Sequence, residues 1–235
     1  FVANVSHEIR TPLTVLTGFV ETLQTLQLDA EERARYLAMM AQQAARMQSV
    51  VHDLLTLSRL EGSPLPGMSE WTPVQALMQR CEEESRALSA VLTQNHQRHH
   101  VLQFPAAQDL RAAGDIAGVP SELQSALSNL ISNAVRYTPA GGTITVQWRY
   151  TADGNAIFSV SDTGPGIAPE HIPRITERFY RVDRSRSRET GGTGLGLAIV
   201  KHAVQRHGAT LEITSALGKG SVFSVIFPAN RLRRP

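Results

Sequence analysis

Apolar residues recur every three or four positions through the first part of the chain. In residues 1–27 they stand at Val2, Val5, Ile9, Pro12, Leu16, Phe19, Leu23 and Leu26. A second row follows at Leu37, Met40, Ala44, Met47, Val51 and Leu54. This spacing is typical of one face of an α-helix. Asp29 precedes the second row as an N-cap, with Glu31 and Glu32 in the first turn. The pattern therefore predicts a helical hairpin.

The hairpin is predicted to occupy residues 1–61, because the next segment, GSPLPG, contains two glycines and two prolines. Further apolar residues stand beside the two rows: Leu13, Val20, Val50, Leu55 and Leu57. A two-helix unit alone rarely buries enough surface to be stable. We therefore predict that a second copy covers these residues in a dimeric four-helix bundle. The alternative is that the hairpin packs on the rest of its own chain.

After a linker at residues 62–70, the pattern changes to mixed helices and strands. Helices are predicted at 74–92 and 120–138, and a third ends at Gly208. Strands are predicted at 101–104, 110–114, 141–150, 156–162, 210–215 and 221–227. Because these elements do not alternate as regular βαβ units, residues 71–229 are predicted to form an α+β sandwich. A basic tail follows at 230–235.

Composition excludes several classes of protein. The 235 residues carry a formal net charge of +2, so the chain offers no broad basic surface for nucleic acid. Cys81 is the only cysteine, which rules out an intrachain disulfide. No run of 18 apolar residues occurs, and we expect no membrane contact by this stretch. Because the sequence starts inside a patterned helix, we expect it to be a piece of a longer protein.

Two asparagines lie four residues apart on the predicted helix at 120–138. Asn129 and Asn133 therefore share one face, with Arg136 about a turn further on. Their amide oxygens are hard, neutral ligands, which suit Mg²⁺ that takes its remaining charge from phosphate oxygens. Taken alone, two asparagines on a helix are more often part of a solvated face than a metal site.

Two glycine-rich segments follow. In VSDTGPGI, a strand ends at Asp162, which could accept a hydrogen bond from an exocyclic amine such as that of adenine, while the next glycines let backbone approach a flat ring. In GGTGLGLAIV, glycines lead into an apolar helix whose free N–H groups could bind phosphate. Neither a Rossmann nor a P-loop motif fits the glycine spacing. Between the two segments, the arginine-rich stretch from Arg178 onward is predicted to form a mobile lid.

Five motifs thus occur in order: HEIRTP at 7–12, NLISN at 129–133, DTGPG at 162–166, RFYR at 178–181 and GTGLG at 192–196. In this order they resemble the H, N, G1, F and G2 boxes of sensor histidine kinases, and the likeness extends from Val2 to Pro228. More narrowly, FVANVSHEIRTPLTVL is similar to the phosphate-regulon sensor kinases of the PhoR type. The resemblance implies a dimerisation and phosphotransfer hairpin followed by a catalytic ATP-binding domain of the Bergerat (GHKL) type.

The resemblance also assigns roles to residues of the hairpin. It implies that His7 accepts a phosphoryl group and that Thr11 positions a water for dephosphorylation of a partner. His7 lies two residues after Val5, about 200° around the helix, so its imidazole is expected to point outward. Glu8 can orient the ring and accept its proton as a general base. The linker would let the ATP-binding domain dock on His7.

In the ATP-binding domain, the resemblance implies that Asn133 and Asn129 hold Mg²⁺ at the phosphates of ATP and that Asp162 contacts adenine. The remaining residues of the predicted nucleotide site are Arg136, Tyr137, Gly164, Gly166, Arg178, Gly192, Gly194, Leu195 and Gly196. The implied partner is the receiver domain of a response regulator, of the PhoB type, in phosphate-starvation signalling. The implied setting is a homodimer in the cytoplasm, anchored in the inner membrane through segments absent here.

Two other functions are alternatives for this set of motifs. An ATPase clamp of the same pocket class needs a carboxylate to activate water, typically where Asn129 stands, and an amide cannot take that proton. A catalytically degenerate dimerisation scaffold is disfavoured because all five motifs are intact.

Overall fold

The computed structural model describes residues 2–182 and 192–234, with the side chains of residues 2–4 left out. The chain forms two compact units, Phe1–Ser58 and Arg59–Pro235. The first unit is a pair of helices, α1 (Val2–Thr25) and most of α2 (Ala30–Gly62). Within the described residues, no helix is both long and apolar enough to cross a lipid bilayer.

The turn between α1 and α2 is stabilised by a reciprocal cap. Glu32 donates its backbone N–H to Asp29 Oδ1 at 2.7 Å, and the Asp29 N–H returns to Glu32 Oε2 at 3.2 Å. These bonds satisfy two N–H groups that the first turn of a helix leaves without partners. The predicted N-cap at Asp29 is confirmed, and α2 ends at Gly62, one residue after the predicted boundary.

From Val5 to Leu23, the less exposed face of α1 agrees with its predicted row, whereas Leu26, just after the helix, is exposed. In α2 the predicted row is partly wrong, because Leu37, Ala44 and Val51 are exposed, Leu37 to 50% and Val51 to 45%. The less exposed apolar positions are Tyr36, Met40, Met47, Val50, Leu54 and Leu57. The Phe19 and Tyr36 rings lie 5.5 Å apart between centroids. This contact turns Tyr36 inward in place of its neighbour Leu37.

The second unit contains eight described strands and four described helices after α2. The strands are β1 (Trp71–Pro73), β2 (Val101–Gln103), β3 (Asp115–Ala117), β4 (Thr143–Tyr150), β5 (Ala156–Asp162), β6 (Thr210–Ala216), β7 (Gly220–Phe227) and β8 (Leu232–Arg233). The helices are α3 (Val74–Thr93), α4 (Ala107–Arg111), α5 (Pro120–Tyr137) and α6 (Gly196–Arg206), with a 3₁₀ turn at Ala229–Arg231.

Five strands form the main sheet in the order β2-β4-β5-β7-β6. The β2–β4 pair is parallel and the others are antiparallel. Alternate residues of β5 are buried, with Phe158 fully so, and they join the core with Leu127 and Leu130 of α5 and Val200 of α6. Helices packed on a largely antiparallel sheet confirm the predicted α+β sandwich.

A second, three-stranded sheet has the order β1-β3-β8. The strand predicted at 110–114 is wrong: residues 107–111 form α4, and the strand begins at Asp115. The stretch AAQDLRAAG is rich in strong helix formers, which favours the helix. The last residues also take part in the fold, because Leu232 and Arg233 pair with Ile116 and Asp115 of β3.

Candidate functional site

His7 lies on the exposed side of α1, as predicted from its position relative to Val5. The neighbouring carboxylate of Glu8 is less exposed and pairs with Arg46 of α2, whose Nη2 is 3.4 Å from Glu8 Oε2. The Thr11 hydroxyl donates to the His7 carbonyl at 3.1 Å. The hairpin therefore presents an exposed imidazole on α1, next in sequence to a carboxylate that pairs with an arginine of α2 and one turn before a hydroxyl.

The two asparagines lie on the same side of α5, and both are half-buried. Asn129 Nδ2 donates to the Ser125 carbonyl at 2.8 Å, which fixes the orientation of its amide. A methyl group in place of the Gly196 α-hydrogen would lie only 2.7 Å from Asn129 Oδ1. The first turn of α6 can therefore approach this oxygen closely because residue 196 has no side chain.

Asp162 ends β5 as a buried acid, 9% exposed. Its Oδ1 accepts the Gly164 N–H at 2.8 Å. Burial raises the pKa of this carboxyl, while the backbone N–H groups of Gly164 and Ser221 act in the opposite direction. A carboxylate has about four acceptor positions, so these bonds leave capacity for a donor on a ligand.

The turn after Asp162 requires glycine at two positions. A methyl group on Gly164 would lie 2.8 Å from Asp162 Oδ1 and 3.1 Å from the Tyr137 carbonyl oxygen. At Gly166, φ is +72° and a methyl group would lie 2.0 Å from the Ala216 carbonyl oxygen. The backbone of this turn thus packs tightly on its surroundings, and Gly166 takes a conformation that other residues rarely adopt.

A backbone hydrogen bond joins the F motif to the G2 motif, at the two ends of the segment between them. The Phe179 N–H donates to the Gly194 carbonyl at 2.8 Å, with φ of +62° at Phe179 and +77° at Gly194. The Leu195 N–H then donates to Thr193 Oγ1 at 3.1 Å, where α6 begins. Residues 183–191, which hold most of the predicted lid, lie outside the described residues.

The other predicted residues lie at various depths. Leu195 is fully buried, so its side chain belongs to the core. Arg136 and Gly192 are half-buried and Tyr137 is 38% exposed. The Arg178 guanidinium pairs with the carboxylate of Glu61, in the last turn of α2. The phosphate role predicted for Arg178 stays a prediction.

The second unit thus groups an amide oxygen at a helix N-terminus, glycine backbone and a buried carboxylate. The tight approach of Gly196 to Asn129 and the free acceptor capacity of Asp162 fit a purine nucleotide, with a hard cation held by amide oxygens. Sequence reasoning did not find Arg46, because no local pattern links it to Glu8, 38 positions away.

Comparisons with known proteins agree with this arrangement. Residues 1–63 match the family described as the His Kinase A (phospho-acceptor) domain. Residues 118–231 match the family of histidine kinase-, DNA gyrase B- and HSP90-like ATPases. The chain belongs to the sensor histidine kinases. Its two matched ranges correspond to the phospho-acceptor domain and the ATPase domain of that family.

Among its relatives, this kinase is 50% identical over 228 residues to the phosphate regulon sensor protein PhoR of Pseudomonas aeruginosa. The match covers 97% of this chain and 49% of the relative, so the chain spans about half the length of that protein. The likeness to the PhoR type predicted from the motifs is thereby confirmed.

Two solved structures are also similar. Full-length ShkA in complex with AMPPNP is 28% identical with a TM-score of 0.66, and the match covers 99% of this chain and 46% of ShkA. ThkA in complex with the response regulator protein TrrA is 20% identical with a TM-score of 0.68, and the match covers 97% of this chain and 60% of that one. The second likeness supports the fold alone.

Proposed function

We propose that this kinase uses ATP to phosphorylate His7 and then transfers the phosphoryl group to an aspartate of a response regulator. The observation that carries the proposal is the exposed His7 imidazole on a hairpin in the same chain as a domain that matches the histidine kinase-like ATPases. Phosphoryl transfer depends mainly on positioning and charge stabilisation, so a separate ATP-binding domain can act on such a residue. In this proposal residues 1–61 form the phosphotransfer hairpin and residues 71–229 the catalytic domain.

In the hairpin, His7 is the nucleophile in its neutral form, because only the neutral ring has a lone pair for phosphorus. Glu8 orients the imidazole and accepts its proton, and the ion pair with Arg46 holds the carboxylate in place. Thr11 positions the water that removes the phosphoryl group from the partner's aspartate. The hydrogen bond from its hydroxyl to the His7 carbonyl keeps the Thr11 side chain on the same side of α1 as His7.

In the catalytic domain, Asp162 accepts a hydrogen bond from the exocyclic amine of adenine. The Gly164–Gly166 turn lies against the adenine ring. Asn133 and Asn129 hold Mg²⁺, which neutralises phosphate charge when bound. The N-terminus of α6, with Gly192, Gly194 and Gly196, binds the phosphates. Arg136, Tyr137, Arg178 and the backbone of Leu195 complete the site.

The amide at Asn129 favours a kinase over an ATPase clamp. Its Nδ2 donates to the Ser125 carbonyl, so its free atom is an amide oxygen. An amide oxygen cannot take the proton of an attacking water near neutral pH. Hydrolysis without an acceptor residue is therefore expected to be slow.

The working unit is a homodimer. Several large apolar side chains of the hairpin are exposed in the single chain, including Leu13 at 51%, Leu55 at 53% and Val20 at 38%. A second hairpin would cover them and complete a four-helix bundle.

The proposed partner is a response regulator of the PhoB type, in phosphate-starvation signalling, with phosphatase activity toward that partner. Support comes from the identity to PhoR, a phosphate regulon sensor protein. ThkA, which shares the fold, was solved with a response regulator. The chain is proposed to be the cytoplasmic part of a protein anchored in the inner membrane.

The test is incubation with γ-labelled ATP and Mg²⁺, followed by acid and base treatment of the protein. We expect label that is acid-labile and base-stable, and its loss in His7→Gln. The matched control is His52→Gln, which removes another exposed histidine of the hairpin and should keep the label. Release of inorganic phosphate without protein label would favour the ATPase, and no turnover would favour the scaffold.

A further inference from the structure

The segment that follows α2 is fixed to the rest of the second unit by two arginines. We call residues 60–67 the connector. Arg206, the last residue of α6, makes five hydrogen bonds with its guanidinium. Nη1 donates to the carbonyls of Leu60 at 2.7 Å and Ser63 at 2.9 Å, and Nη2 donates to that of Pro64 at 2.7 Å. These bonds hold the first half of the connector.

The remaining two bonds of Arg206 reach α5. Its Nε donates to Glu122 Oε2 and its Nη2 to Glu122 Oε1, both at 3.0 Å. The two side chains are 9% and 13% exposed. All five guanidinium N–H groups therefore have partners, in the forked geometry that lysine cannot reproduce.

Arg231, in the 3₁₀ turn before β8, holds the other half. It donates to the carbonyls of Pro66 at 3.0 Å and Gly67 at 3.2 Å, and also to that of Ala117 in β3 at 3.1 Å. The glycine- and proline-rich linker, predicted to let the ATP-binding domain dock on His7, is thus attached at both ends. Its flexibility cannot be read from its composition alone.

The location of Arg206 connects this attachment to the nucleotide site. Glu122 lies in the first turn of α5, two to three turns before Asn129 and Asn133. Gly196 is the first residue of the helix that Arg206 ends. The carbonyl of Leu60 belongs to the last turn of α2, where carbonyls lack partners within the helix and carry partial negative charge. One side chain therefore joins the end of α2 to both helices that bear the predicted site.

We propose that Arg206 is a positioning residue for phosphorylation of His7. This inference rests on the function proposed above. By fixing the connector to α5 and α6, it limits the positions from which the nucleotide can approach the imidazole. A tether with fewer conformations gives a higher effective concentration of the two reacting groups. Release of the connector is expected to lower the fraction of molecules in which the nucleotide can reach His7, without altering the nucleotide site itself.

The test compares Arg206→Ala and Arg206→Lys in the full chain, with Arg86→Ala as the matched control. Arg86 forms an exposed pair with Glu82 on α3. For Arg206→Ala we expect kcat of autophosphorylation to fall about tenfold, with KM for ATP and Kd for ADP unchanged within about twofold. Lysine keeps the charge but not the fork, so Arg206→Lys should give an intermediate kcat.

Hydrogen exchange reports on the connector independently. The Ser63 N–H bonds to the Arg59 carbonyl at 3.0 Å, and its exchange should be faster in Arg206→Ala than in Arg86→Ala. If Arg206→Ala does not fold, Arg206→Lys is the variant to interpret.

Unchanged kcat with faster Ser63 exchange would overturn the positioning role. Equal losses of nucleotide binding and kcat would also overturn it, since they indicate a general structural defect. An unlabelled parent protein would refute the proposed function and this inference with it. Labelled parent and control proteins, with kcat alone reduced in the Arg206 variants, would support it.

Discussion

The buried carboxyl of Asp162 provides a sharp test of the nucleotide site. Burial raises its pKa in the folded protein, so the folded state binds this proton more tightly than the unfolded state does. The carboxyl therefore stabilises the fold below its unfolded pKa, and that contribution is lost as pH rises through the folded pKa. In its ionised form the buried group opposes folding. We expect Asp162→Asn to weaken nucleotide binding while leaving stability nearly unchanged.

The size of the effect follows from the hydrogen bonds. A bond to a charged acceptor contributes about 1.5–3 kcal/mol and a neutral one about 1 kcal/mol. The difference is about 0.5–2 kcal/mol, so replacing the carboxylate by an amide should raise Kd for an ATP analogue about 2- to 30-fold. For stability, relief from burying a charge opposes the weaker bonds to Gly164 and Ser221. The free energy of unfolding should then change by less than about 1 kcal/mol.

The assay is calorimetric titration with a non-hydrolysable ATP analogue, together with urea unfolding at pH 7.5. The inosine analogue, which has a carbonyl oxygen in place of the adenine amine, should bind poorly to the parent because a carboxylate repels that oxygen. The amide in Asp162→Asn can donate a hydrogen bond to the carbonyl oxygen of the inosine analogue. The ratio of the two dissociation constants, inosine to adenine, should therefore be smaller in this variant than in the parent. The matched control is Asp153→Asn in the exposed turn between β4 and β5.

Two results would refute this reasoning. Equal affinity of Asp162→Asn and the parent for the adenine nucleotide would show that the carboxylate does not contact the base. A loss of binding that matches a loss of several kcal/mol in stability would show that Asp162 is required for the fold instead.

Other substitutions test the packing, the pH response and the dimer. Gly166→Ala should lower the free energy of unfolding by about 2–4 kcal/mol, because the new methyl group would clash with the Ala216 carbonyl. Gly218→Ala, at a similar φ of +74° but in open space, should lower it by only about 1–2 kcal/mol. Urea unfolding measures both losses, and equal losses would contradict the clash at residue 166. Burial lowers the pKa of His207, so the unfolded state binds more protons and the free energy of unfolding should fall as pH drops below about 6.5. Urea unfolding at pH 7.5 and 5.5 should show that His207→Gln loses less stability than the parent on acidification. An equal loss in the two proteins would exclude His207 as its source. Leu55→Asp should dissociate the dimer in sedimentation experiments, whereas Leu217→Asp, at an exposed position of the second unit, should not; a dimer that persists in Leu55→Asp would place the interface elsewhere.

Local patterns predicted most of the secondary structure because their signals lie within a few residues. The Asp29–Glu32 cap, the alternation along β5 and the glycine that follows α6 are examples. All five motifs were found for the same reason, since each places its residues within one helix turn or one tight turn.

The failures involve contacts between distant residues. Part of the α2 row was wrong because Tyr36, which contacts Phe19 of the other helix, lies inward where Leu37 was predicted. Strands β1 and β8 have three and two residues and exist because they pair with β3. A window too short to show alternation cannot predict them.

The same limit applied to the sites. The partner of Glu8 is Arg46 and the partners of Arg206 lie more than 80 positions away. The sequence predicted which residues could carry the chemistry. Only the folded chain brings in the side chains that hold them.

The central claim is that ATP phosphorylates His7. Its most direct measurement is mass spectrometry of the protein after reaction with ATP and Mg²⁺, digested and separated at basic pH so that phosphohistidine survives. We predict an added phosphate on the imidazole of His7. Phosphate on a serine, a threonine or another histidine, with His7 unmodified, would contradict the account.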